Sequence, residues 1–103
     1  MATVELHAGP IIQVELEGEL HISSAAELKE KLAQAIGSGR GISVSLARVS
    51  ALDITAVQLL WAAARKARMA GIPFTFAPPV PDQVVAGLRD AGIPPASLLE
   101  GES

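Results

Sequence analysis

The sequence predicts an α/β domain: a mixed sheet of about four strands that opens with an antiparallel hairpin and is completed by about three helices. Three observations carry this. Two short segments near the start alternate apolar and polar residues, three later segments repeat apolar residues at helical spacing, and glycines or prolines mark the boundaries between them.

Val4 and Leu6, then Ile12, Val14 and Leu16, alternate with Glu5, His7, Gln13, Glu15 and Glu17, as in two strands with one buried face each. Ala8-Gly9-Pro10 between them reads as a hairpin turn, and Gly18 reads as the close of the second strand. Ser24-Ala25-Ala26-Glu27 fits a capping box, so a helix is expected from Ser24, with Ala25, Leu28, Leu32, Ala35 and Ile36 inward and Gly37-Ser38-Gly39 as its stop. Ile42, Val44 and Leu46 alternate with Ser43 and Ser45 in a strand expected to be central.

Asp53 is placed to cap a second helix that runs to Ala70, with Arg65, Lys66 and Arg68 near the end where cations complement the dipole and Gly71 as the stop. Ile72, Phe74 and Phe76 form a further strand ended by Pro78 and Pro79. Asp82 opens a third helix through Val84, Val85, Leu88 and Ala91, closed by Gly92, and Ile93 to Leu99 is a tail expected to pack back. Strands joined through helices are expected to run parallel with right-handed crossovers. Neither a repeat nor a linker divides the sequence, so residues 1–103 are expected to form one domain.

Composition narrows the function. The net charge of −3 provides no basic footprint for nucleic acid. Without cysteine, disulfides and thiolate metal sites are excluded. No apolar run approaches the roughly 20 residues that span a bilayer, and the first residues lack the pattern of a signal peptide, so the cytoplasm is the expected compartment and membrane insertion is not expected.

No metal site is expected, because His7 and His21 lie at opposite ends of the hairpin without ligand spacing. Gly37-Ser38-Gly39-Arg40-Gly41 follows a helix instead of opening one, so it is not an anion loop. Neither a catalytic constellation nor a cofactor motif is present, and an enzyme is not expected.

Gly18-Glu19-Leu20 leading into a capped helix, the strand from Ile42 to Val49, and Leu52-Asp53-Ile54-Thr55 opening an Ala/Leu-rich helix that ends at Ala70-Gly71 together resemble the STAS domain family. That family includes bacterial anti-sigma factor antagonists, stressosome components and cytoplasmic domains of anion transporters. The resemblance spans roughly Val4 to Leu99. It implies that Thr55 is the residue phosphorylated by a partner kinase and that Asp53, beyond capping, orients the acceptor hydroxyl. Ala56 stands where antagonists usually have Gly, and His21 where they often have an acidic or amide residue.

Helical spacing puts Val57, Leu60, Ala64 and Ala67 inward with Trp61 at the core edge, and Thr55, Leu59, Ala62, Lys66 and Met69 on the outer side. The strip beyond Thr55 is mostly apolar and suits a protein partner, which the resemblance implies is an anti-sigma factor or serine/threonine kinase. The expected function is therefore an anti-sigma factor antagonist-type binding module switched by phosphorylation of Thr55. The rival is a STAS subunit of a lipid-transport ABC complex, touching the ATPase subunit through Thr55 without modification.

Overall fold

The computed structural model describes residues 3–94, 98 and 99. Strands β1 (Thr3–His7) and β2 (Ile11–Leu20) form the antiparallel hairpin, and helix α1 (Ala25–Gly37) follows a single 3₁₀ turn at Ile22–Ser24. Then come β3 (Gly41–Leu52), helix α2 (Ile54–Met69), β4 (Phe74–Ala77) and helix α3 (Asp82–Asp90). The sheet order is β1-β2-β3-β4, with β2, β3 and β4 mutually parallel, which is the mixed sheet the sequence predicts.

One face of the sheet makes the core. Val4, Ile12, Val14, Leu16, Ile42, Val44, Leu46 and Phe74 are buried against Leu28, Leu32, Leu60, Ala64, Val84 and Leu88 of the helices. The intervening residues of β1 and β2, Thr3, Glu5, His7, Gln13, Glu15 and Glu17, are exposed on the opposite face. The described part of the tail packs back as expected: Leu98 is fully buried, and Arg68 donates to the carbonyls of Phe74 and Leu98 at 2.9 and 3.0 Å. Burial lowers the pKa of that guanidinium from its ordinary value. Residues 95–97 of the tail lie outside the described residues.

Ile72 stays outside β4, because its amide donates to the Ala67 carbonyl at 2.8 Å, and two further boundaries differ from the sequence reading. Gly18 does not close β2: its φ of +86° lets the strand pass through an irregularity and continue to Leu20. There β3 carries extra residues. Leu46 and Ala47 oppose Leu16 alone, and Ser50 has no partner between the pairs Gly18–Val49 and Glu19–Ala51. The bulges lengthen β3 to Leu52, past the end of β4, and the Gln83 side chain of α3 donates to the Val49 carbonyl at 3.3 Å on that stretch.

The second difference is the start of α1. Ser24 makes no side-chain cap, because its backbone (φ −97°, ψ −6°) is already wound and its amide donates to the His21 carbonyl at 2.8 Å. The winding starts at His21, whose Nδ1 lies 2.7 Å from Ser23 Oγ and 3.4 Å from the Ser23 amide. A capping box needs an extended first residue, which this turn does not provide.

Candidate partner-binding site

The parallel strands β2 and β3 end together at the pair Leu20–Leu52, and the chain turns there into α2. In open α/β sheets the carboxyl ends of parallel strands are where functional residues collect. Asp53 is tied to both strands' ends: its amide donates to the Leu20 carbonyl at 3.0 Å. With φ −82° and ψ 174° it is extended, and its Oδ1 accepts the amide of Ala56 at 2.9 Å, the side-chain cap expected from the sequence. Its carbonyl accepts the Val57 amide at 3.0 Å and starts the helical ladder.

Thr55 follows in the first turn and is half-buried. Beside it Ile54 is 56% exposed, one of few large apolar side chains left in water. Ala56, in contrast, is buried in the core, so its methyl group adds to packing. The turn carrying His21 and Ser23 packs against α2 at the same end of the sheet.

The rest of the helix sorts by face. Val57, Leu60, Ala64 and Ala67 are buried as expected, joined by Ala56 and Ala63, and Trp61 is half-buried at the core edge. Ala62, Lys66 and Met69 are exposed, Met69 to 77%. Leu59 is half-buried and packs against the core, so the exposed part of the strip is narrower there than the helix spacing implied. The outer strip begins at a capped, positively polarised helix start and runs to Lys66 and Met69 near the other end. Sequence reasoning missed Ile54: it sits between the cap and Thr55, and the outward turn of the chain at Asp53 exposes it.

The helix end is equally defined. Gly71 at φ +77° lets its own amide reach the Arg68 carbonyl at 3.1 Å and the Ile72 amide reach the Ala67 carbonyl at 2.8 Å, so α2 is closed at both ends.

A family model described as Mlab, STAS domain, matches residues 7–94. Among solved structures, SpoIIAA described as an anti-sigma factor antagonist in its unphosphorylated form is 20% identical at a TM-score of 0.65, over 84% of this chain and 80% of that one. The Bacillus cell fate determinant SpoIIAA in the phosphorylated form is 20% identical at 0.66, over 90% and 85%. A structure described as Mglu is 22% identical at 0.63 over 75% of this chain, which spans 19% of that protein's length. These likenesses are of fold. No curated protein sequence matches the chain. No helix among the described residues is long and apolar enough to cross a membrane.

Proposed function

Because this chain belongs to the STAS domain family, we propose that it is a regulatory protein-binding module of the anti-sigma factor antagonist type, switched by phosphorylation of Thr55. The observation that carries the reading is the arrangement at the start of α2: a threonine in the first turn, two residues from a capping aspartate and next to the exposed Ile54. The partner is an anti-sigma factor or a serine/threonine kinase, and it docks on Thr55, Leu59, Ala62, Lys66 and Met69.

In this mechanism the kinase moves the γ-phosphoryl group of ATP onto the Thr55 oxygen, ADP leaves, and the hydroxyl proton passes to the kinase. Asp53 holds the first turn in place through the Ala56 amide and so presents the hydroxyl at a fixed point. The added charge, about −1.5 to −2, sits where first-turn amides and the helix dipole favour an anion, so the fold survives. In a desolvated apolar interface the same charge is opposed by several kcal/mol, about two orders of magnitude or more in affinity.

Titration calorimetry with a purified anti-sigma-type kinase of the same organism tests the switch. Wild type and Thr55→Ala bind, and Thr55→Glu binds at least about tenfold more weakly. Equal affinity of all three would remove the switch and leave constitutive docking, as in a transport-complex subunit.

A further inference from the structure

The hairpin register places a second set of chemically active residues on the sheet face opposite the helices. Glu5 and Glu15 are directly opposite each other across the β1–β2 ladder, and His7 lies two residues along from Glu5 on the same face. His7 Nε2 is 3.5 Å from Glu5 Oε2 and 3.8 Å from Glu15 Oε2. One donor atom from each of the three lies within 4.8 Å of the others.

Like charges facing each other across an antiparallel pair are unfavourable, and strands normally place an opposite charge there. Glu17 on the same face has Arg48 at 3.8 Å. Among the described residues, no lysine or arginine pairs with Glu5 or Glu15, and both carboxylates turn to the one imidazole. Two carboxylates and one imidazole thus share a single solvent-exposed patch of the ladder. They offer the oxygen and nitrogen donors that suit a borderline divalent metal.

We propose that Glu5, His7 and Glu15 bind a divalent transition-metal ion of the Zn²⁺ type on the open face of the hairpin. Donors at i and i+2 of one strand and at the residue opposite i lie on one face of the ladder, where a bound ion would draw them in to the about 2.0–2.2 Å of zinc–nitrogen and zinc–oxygen bonds. Three protein donors leave a fourth position on the solvent side for water. Spacing along the chain did not reveal the set, because the third ligand comes from across the turn and His21 takes no part: it lies beyond the far end of β2, against Ser23.

Calorimetric titration of the full chain with ZnCl₂ in chelator-free buffer decides it. Wild type takes up one zinc per chain, His7→Ala and Glu15→Gln each lose at least about tenfold in affinity, and His21→Ala binds as wild type does. Glu15→Gln also removes the opposed charge, so without metal its melting temperature is no lower than that of wild type, which separates loss of a ligand from loss of fold. Absence of binding at submillimolar zinc, or unchanged affinity in His7→Ala, would overturn the site.

Discussion

The starts of α1 and α2 carry similar signals in the sequence and resolve differently in the structure. Ser24 and Asp53 are both cap residues by type, each placed before an apolar-striped helix. Asp53 comes directly off a strand, remains extended and captures the Ala56 amide; Ser24 comes off a 3₁₀ turn, is already helical and captures nothing. A cap therefore requires a backbone state that the preceding element must deliver, in addition to an acceptor side chain. The helix whose start is held by a side chain is also the one that carries Thr55.

The contrast can be broken in stages. If α2 is anchored mainly by its inner face, Leu60→Ala, at a fully buried position, should lower stability by about 2–5 kcal/mol in urea denaturation. A loss below that of the cap variant would show that the inner stripe is not the anchor. Asp53→Ala should remove about 1 kcal/mol, whereas Ser24→Ala should stay within about 0.5 kcal/mol of wild type. Equal losses at the two positions would erase the distinction between the helix starts.

Along α2 the outer strip gives the smallest effects. Met69→Ala should change stability by no more than about 0.5 kcal/mol in thermal melts, with Leu59→Ala falling between Met69→Ala and Leu60→Ala because its side chain is half-buried. On the proposed interface both substitutions weaken partner binding, so affinity and stability separate most cleanly at Met69. Partner affinity unchanged in Met69→Ala would shorten the docking surface to the first turns of the helix.

Much of the fold was legible because local signals agreed with one another. The alternation in β1 and β2, the helical spacing of α2 and the stops at Gly71 and Gly92 each name an element that the structure contains. Gly18 misled because a glycine at positive φ serves a turn and a bulge equally well, and only pairing with β3 distinguishes them. Ser24 misled because the hydrogen bond to His21 that winds the chain leaves no mark in the spacing of apolar residues.

At the candidate site, Asp53 could be read as a cap from the sequence. The exposure of Ile54, the half-burial of Leu59 and the inward methyl of Ala56 depend on how the chain leaves Leu52, which spacing within the helix does not encode. The cross-strand meeting of Glu5 and Glu15 needed the hairpin register.

On the proposed switch, the capped first turn of α2 presents Thr55 to a kinase. Mass-spectrometric localisation of phosphate, after incubating the protein with an anti-sigma-type serine/threonine kinase of the same organism and ATP, tests it most directly. A single phosphothreonine at Thr55, absent from Thr55→Ala and formed more slowly in Asp53→Ala, is the predicted result. Phosphate mainly on Ser23, Ser24 or Ser50, with Thr55 unmodified, would contradict it.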